Sequence, residues 1–305
     1  MTGKEGREST RSTVRAYVEL TKPRIIELLL VTTLPAMFLA QRGLPPLGLT
    51  VATLIGGSLA AGSANALNCY VDRDIDAIMK RTSARPLAVE GKRARVSPRS
   101  ALVFGVALGV LSTLLLWVTT NPLATALTVA AIVMYVLGYT IGLKRRTSQN
   151  IVWGGSAGCM PVLIGWAAVT GGLAWSALLL FLVVFFWTPP HFWALAMRFR
   201  DDYASAGVPM LPVVASARRV TTHMLWHSWA MVTCSLLLVP VADTGPIYAV
   251  PAVVLGAAFL REVYRLRQRV LGGTDPRPMR LFQFSITYLS LLSLAVVAAV
   301  LIPVP

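Results

Sequence analysis

Long apolar stretches alternate with polar connections along this chain, and the connections themselves alternate between long basic ones and short neutral ones. A helix needs about 20 mainly apolar residues to cross ~30 Å of hydrocarbon. Nine stretches approach or exceed that length: 25–41, 49–71, 100–119, 123–143, 151–170, 174–198, 221–241, 246–263 and 281–302. The first is short and holds Glu27 and Pro35. The pattern predicts an all-α integral membrane protein of nine transmembrane helices. A flexible cytosolic tail over 1–21 would precede a single domain over 22–305. The tail is rich in Arg and Ser, but Glu5, Glu8 and Glu19 argue against a transit peptide. A cleaved signal peptide is not expected, because the first apolar run starts only at Ile25 and Phe38-Leu39-Ala40 lacks a small residue at the −3 position.

Composition agrees with the pattern. The chain is 55% hydrophobic and 13% charged, whereas soluble domains average about 25% charged residues. A net charge of +15 would suggest nucleic acid in a soluble protein, but here its distribution decides the matter. Of the 28 Lys and Arg residues only Arg42 falls on one side of the nine spans, and of the 13 acids only Asp243 does. The positive-inside rule makes the other side cytoplasmic, with the N-terminus inside and the C-terminus outside. The basic excess is then a topogenic signal that also attracts anionic membrane lipid, and no nucleic-acid partner is expected. A bacterial plasma membrane is the expected location, with the mitochondrial inner membrane as the alternative. The long loops after the second and sixth spans lie on the basic side, so the active-site cavity is expected to open there. Cys69, Cys159 and Cys234 lie in apolar segments without metal-ligand or pairing spacing, and read as small buried hydrophobes.

The strongest chemical signal is N-C-Y-V-D-R-D-I-D, where Asn68, Asp72 and Asp76 recur every four residues at the end of an apolar run. That spacing stacks three oxygen-bearing side chains on one helical face. Such a group is costly at a membrane-helix end unless a cation or a wet cavity receives it. Mg²⁺ suits it, because Mg²⁺ takes one or two carboxylates together with phosphate oxygens and water. A second acidic pair, Asp201 and Asp202 in R-F-R-D-D-Y, leaves the sixth span on the same face. Their mutual repulsion calls for a metal or for Arg198 and Arg200. Cations cluster nearby: Lys22 and Arg24, then Lys80, Arg81 and Arg85, then Lys144, Arg145 and Arg146. Beside carboxylates that hold Mg²⁺, such cations suggest a polyphosphate, with Arg24, Lys80, Arg81, Arg85 and Lys144 as its ligands. Inside the sixth span, W-T-P-P-H-F-W-A-L-A pairs a helix break at Pro189-Pro190 with His191 and its aromatic neighbours. That histidine could face a planar apolar ligand, or simply bond to carbonyls freed by the prolines. His223 and His227, four residues apart, have no acid or thiol partner in the pattern and read as packing residues.

These residues resemble the N-x-x-x-D-x-x-x-D motif of the UbiA-type intramembrane prenyltransferases. T-K-P-R-I, D-x-x-M-x-R-T-x-x-R-P-L, N-I-V-W-G-G-x-A-G-x-x-P and T-P-P-H-F-W-A-L-A…D-D-Y-A-x-A-G-V-P-M-L-P-V are similar to the haem-farnesylating subfamily, from Lys22 to the last span. The resemblance implies farnesyl transfer from farnesyl diphosphate to a vinyl group of haem B, giving haem O for terminal oxidases. It implies catalytic roles for Asn68, Asp72, Asp76, Asp201 and Asp202, with Mg²⁺ held by Asp72, Asp76 and Asp202. His191, Trp193, Tyr139 and Tyr203 would meet the haem or the prenyl chain, with Trp187 and Phe192 as further aromatic candidates. Haem A synthase or oxidase assembly factors would be partners. Many superfamily members carry a second D-x-x-x-D; here Arg198 stands four residues before Asp202, so the second site departs from the pattern. The alternatives are a related enzyme acting on a quinone precursor or chlorin, a transporter, and an oxidase-assembly scaffold. A transporter would place acids along a path to both faces.

Overall fold

A computed structural model describes residues 13–88 and 96–302, with the side chains of 24–30 excepted. Arg24, Glu27 and the tail before residue 13 therefore lie outside the described side chains. Residues 13–21 form a helix, α1. The long helices that follow are α2 (Pro23–Gln41), α3 (Leu47–Val71), α5 (Pro98–Thr119), α6 (Pro122–Leu143), α7 (Asn150–Thr170), α8 (Trp175–Arg198), α11 (Ala217–Ala242), α12 (Gly245–Leu271) and α13 (Pro278–Leu301). Short helices α4 (Arg73–Ile78), α9 (Arg200–Ser205) and α10 (Leu211–Val214) sit in the two long connections. Eight of these helices are long and apolar enough to cross a membrane, and within α2 the stretch Val31–Gln41 is a shorter apolar helix. No strand occurs among the described residues. This suits hydrocarbon, where every backbone N–H and C=O must be satisfied within the segment.

Two differences from the expected pattern stand out. The expected tail reaches residue 21, but residues 13–21 are helical, and Ala16 and Leu20 are fully buried with Ala66, Cys69 and Ala101. Ala16 and Leu20 are four apart, which gives this otherwise polar stretch one apolar face. Helix α12 also continues well beyond the apolar run 246–263, carrying Arg265, Arg267 and Arg269 past it. The three cysteines are free and buried.

Small residues set the closest packing. Ser63 Oγ donates to the Gly105 carbonyl at 2.7 Å, and Ser112 Oγ donates to the Gly56 carbonyl at 2.7 Å, so α3 and α5 are bonded in both directions. A Cβ at Gly56 would lie 2.6 Å from the Leu116 side chain. Without a hydrophobic drive between helices in lipid, such contacts and bonds hold them together. Helix α7 packs against α2, α6 and α8, while α11 packs on α8, α12 on α11, and α13 on α12, α8 and back onto α2.

The helix ends are specified locally. Ser97, Asn121 and Ser216 are N-caps accepting from Ser100, Ala124 and Arg219 backbone N–H groups. Asn121 also donates to the Ala167 carbonyl at 2.6 Å, tying the start of α6 to the end of α7. Asn121→Ala is expected to lower stability by ~1–2 kcal/mol through loss of the cap, read as a lower thermal midpoint in detergent. At that same end of the bundle Arg42, the isolated cation of the sequence pattern, bonds to the Ala242 carbonyl beside Asp243. The short turns gather at this end with Asp243, and the other described acidic residues and the long connections gather at the opposite one.

Candidate active site

The Asn-Asp-Asp face forms as its spacing predicts. Helix α3 ends at Asp72, yet the backbone ladder runs on, with Asp72 N–H donating to Asn68 O at 2.9 Å and Asp76 N–H to Asp72 O at 2.8 Å. Asn68, Asp72 and Asp76 are buried, whereas Arg73 and Asp74, on the other side of the turn, are exposed. Asn68 Nδ2 donates to Asp72 Oδ2 at 2.6 Å and to Thr140 Oγ1 at 3.1 Å, and Lys22 Nζ donates to Asn68 Oδ1 at 2.7 Å.

Cations close around both carboxylates. Lys144 pairs with Asp72 Oδ2. Arg145 lies 3.6 Å from Asp72 Oδ1 and grips exposed Asp74 with two bonds of 2.7 Å. These bonds hold the Asp74 carboxyl below its ordinary range. Arg85 Nη1 reaches both oxygens of Asp76, at 2.7 and 2.6 Å. Burial works against the Arg85 charge, but the Asp76 carboxylate more than offsets it and keeps the guanidinium above its ordinary range. Burial pulls the Lys22 ammonium down to about 8; among the charges around it, Arg85 and Lys144 push the same way. Lys22, Arg85 and Lys144 thus gather around one buried face, an arrangement that can receive a polyanion.

Helix α6 delivers Lys144 through an unusual winding. From Met134 to Leu143 it is a π-helix. Thr140 Oγ1 donates to Tyr135 O at 2.8 Å and Lys144 N–H donates to Tyr139 O at 2.8 Å, both five residues back. In this winding residues five apart stack, so Tyr135, Tyr139, Thr140 and Lys144 share one face. In an α-helix Lys144, nine residues on, would point away from Tyr135. The Tyr135 and Tyr139 rings lie 5.5 Å apart. Gly154 of α7 makes room for Tyr139, since a Cβ there would sit 2.1 Å from the ring.

The second acidic pair joins the first through the intervening loops. Arg81 backbone N–H donates to Asp202 Oδ2 at 3.2 Å, and Arg81 Nη2 donates to Tyr203 Oη at 3.0 Å. The guanidinium also lies over the Phe199 and Tyr203 rings. Ile75, Met79, Tyr203, Val208 and Met210 pack as one apolar cluster beneath, so the two loops form a single lid-like layer. Asp201 and Lys80 are exposed. Arg200 does not serve the acidic pair: it donates to the Pro212 and Val213 carbonyls and folds the loop back.

The sequence matches the UbiA prenyltransferase family over residues 29–301. The chain belongs to the UbiA prenyltransferase family. It is similar to the protoheme IX farnesyltransferase of Frankia alni, 61% identical over 283 residues, covering 93% of this chain and 96% of the relative. It is also similar to protoheme IX farnesyltransferase 1 of Saccharopolyspora erythraea, 59% identical over 286 residues, covering 94% and 90%. Among solved structures it shares its fold with a digeranylgeranylglyceryl phosphate synthase, at TM-score 0.77 and 15% identity over 94% of this chain and 98% of that one. A UbiA homolog from Archaeoglobus fulgidus bound to DMAPP and Mg²⁺ gives TM-score 0.65 at 14% identity, over 92% and 99%.

In this UbiA-family prenyltransferase the residues around the acidic face divide plainly. Among the described residues, no three His, Cys, Asp or Glu side chains gather as a metal-holding group. Asp72 and Asp76 are each closed by a cation, and Asp202 meets the Arg81 backbone. One observation fits a bound cation: Asp72 Oδ1 is buried and has no hydrogen-bond partner. The side-chain oxygens of Asn68, Asp72 and Asp76 are the kind a hard divalent ion takes, and Asp202 reaches this region only through the Arg81 loop. His191 lies deeper in α8, against α13, and Trp193 is fully buried with its ring edge-on to His227 at 5.2 Å. Lys22, Thr140 and Arg145 touch the site but were not singled out as its ligands by the sequence motifs. Lys22 was legible from its neighbour Arg24; Thr140 was not, because the π-winding leaves no mark in hydrophobic periodicity.

Proposed function

We propose that this prenyltransferase moves the farnesyl group of farnesyl diphosphate onto a vinyl group of haem B to give haem O, working at the bacterial plasma membrane with the acidic end of the bundle toward the cytoplasm. The observation that carries the diphosphate half is the buried face of Asn68, Asp72 and Asp76, closed in turn by Lys22, Lys144 and Arg85, on which Asp72 Oδ1 has no hydrogen bond and only the longer ion pair to Arg145. The acceptor half is supported by relatives named for protoheme IX and by the haem-type motifs around His191. The N-terminus would then be cytoplasmic and the C-terminus outside, as the basic loops require.

In this reading Asn68, Asp72, Asp76 and Asp202 would hold Mg²⁺, which when bound supplies Lewis-acid neutralisation of diphosphate oxygens. Lys144 and Arg85 exchange their carboxylate partners, Lys22 the Asn68 amide oxygen and Arg81 the Tyr203 hydroxyl for phosphate oxygens, and together they stabilise the leaving charge. Lys80, exposed beside Arg81, is a further candidate, and Arg24 is one by its place in the sequence alone. The C1–O bond breaks and its electron pair leaves with diphosphate. The allylic cation forms where the helices exclude water and where Tyr139 and Tyr203 are candidate π-donors, while Trp193, packed against His223 and His227, serves the wall of the bundle. A vinyl carbon of haem attacks to make the new C–C bond, and the resulting haem-side cation takes hydroxide from water, which releases a proton. Asp201, exposed at the rim, would act through its neighbour Asp202.

Purified protein supplied with farnesyl diphosphate and either haem B or 4-hydroxybenzoate tests the acceptor. Haem B is expected to be consumed and 4-hydroxybenzoate left intact; the reverse would replace this reading with the quinone-precursor alternative. Chelating divalent cations with EDTA is expected to lower turnover at least ~100-fold, with recovery on adding Mg²⁺.

A further inference from the structure

His191 is held in one plane. Its imidazole stacks on Trp187 at 4.2 Å and on Phe282 at 4.4 Å, with interplanar angles of 20° and 26°. Its Nδ1 lies 2.7 Å from Ser285 Oγ on α13. Ser285 Oγ in turn lies 2.6 Å from the Phe282 carbonyl oxygen, one turn back on the same helix. Trp187 Nε1–H donates to the Ser285 carbonyl at 2.8 Å, so α8 and α13 are joined twice at this level.

The proton inventory fixes the tautomer. A serine hydroxyl has one proton to give and lone pairs to receive. A carbonyl can only accept, so the Ser285 proton goes to Phe282 O. Toward His191 the hydroxyl must then accept, and Nδ1 carries the hydrogen. A neutral imidazole has one N–H, which leaves Nε2 with the lone pair. Among the described residues Nε2 makes no hydrogen bond.

We infer that Ser285 is a positioning residue that locks His191 as the Nδ1-protonated imidazole, so that Nε2 offers its lone pair to the iron of the tetrapyrrole acceptor. The inference rests on the haem reading above and decides between two roles for His191. A hydrogen bond to a haem carboxylate would need the proton on Nε2; iron ligation needs the lone pair there. Trp187 and Phe282 cover the ring faces and the Phe192 ring meets the imidazole at 5.1 Å and 88°, so the approach left is in the ring plane at Nε2, which is the direction an axial ligand uses. A far-side N–H bond to an oxygen also fixes ring rotation and raises the basicity of the ligating nitrogen.

The test titrates the full-length detergent-purified protein with ferric protohaem IX and, in parallel, with metal-free protoporphyrin IX. Unaltered protein, His191→Ala, Ser285→Ala and Ser285→Thr are compared by affinity and by the Soret band. The unaltered protein is expected to shift the Soret band of haem, and His191→Ala to lose that shift. Ser285→Ala is expected to weaken haem ~10–100-fold while leaving protoporphyrin within about twofold, and Ser285→Thr to restore haem. Farnesyl diphosphate binding with Mg²⁺, unchanged in both serine variants, reports that the fold is intact. The inference is overturned if Ser285→Ala keeps the original haem affinity and spectrum, or weakens haem and protoporphyrin alike, as a packing role would. If the unaltered protein binds neither tetrapyrrole, the acceptor reading fails and this inference fails with it, whereas diphosphate binding would persist.

Discussion

Asp72→Asn is expected to lower farnesyl transfer by at least ~10³-fold while leaving the fold intact. The substitution keeps the size of the side chain and an oxygen to accept from Asn68, 2.6 Å away. It removes the negative charge that Lys144 and Arg145 face and the buried oxygen that makes no hydrogen bond. Asp72→Ala removes more: Asn still offers the Lys144 ammonium and Asn68 an oxygen, whereas Ala leaves both buried donors with neither charge nor acceptor, which costs ~3–5 kcal/mol where measured for such pairs. The two variants therefore separate chemistry from stability. Asp72→Asn should unfold near the temperature of the unaltered protein yet fail to turn over, and Asp72→Ala should do both poorly. A scaffold would tolerate Asp72→Asn without loss; turnover within about tenfold of the unaltered protein would exclude a transition-state role for this carboxylate.

Gly154→Ala is expected to cost ~10–100-fold in turnover through Tyr139, with little change in helix content. Helix propensity alone would favour Ala by about 1 kcal/mol. The added Cβ, however, would fall 2.1 Å from the Tyr139 ring, and that ring stands on the face that carries Thr140 and Lys144. The ring must move, and the π-helical face moves with it. Gly158→Ala, one turn further along α7, meets nothing within 4 Å and serves as the control. Comparing kcat for the two alanine variants checks the prediction: equal values would show that Tyr139 can shift without consequence for catalysis.

Much of the molecule was legible in its pattern because a membrane imposes few solutions. Hydrophobic runs, prolines and basic loops gave helix positions that the structure repeats, and the spacing of Asn68, Asp72 and Asp76 gave one buried face. What periodicity could not carry was partnership across the chain. The pattern gave the cations near the motifs, but not that Lys144 would take Asp72 and Arg85 would take Asp76. It offered Arg200 to the Asp201–Asp202 pair, whereas loop closure claims Arg200 for the Pro212 carbonyl. It read α6 as ordinary helix, because ten apolar residues look alike in either winding. It put Pro189-Pro190 and His191 together and expected a helix break there, whereas α8 runs as one helix from Trp175 to Arg198 with both prolines inside it; and it could not show Ser285, 94 residues away in sequence, as the hydroxyl that orients the imidazole.

The central claim is that the buried acidic face activates farnesyl diphosphate for transfer to haem B. The most direct measurement is haem O formation from haem B and farnesyl diphosphate by the purified protein, followed by mass spectrometry with Mg²⁺ added and with Mg²⁺ chelated, in the unaltered protein and in Asp72→Asn. The account predicts haem O only for the unaltered protein with Mg²⁺. Equal haem O in all four conditions, or farnesylated product on another acceptor with haem B untouched, would contradict it.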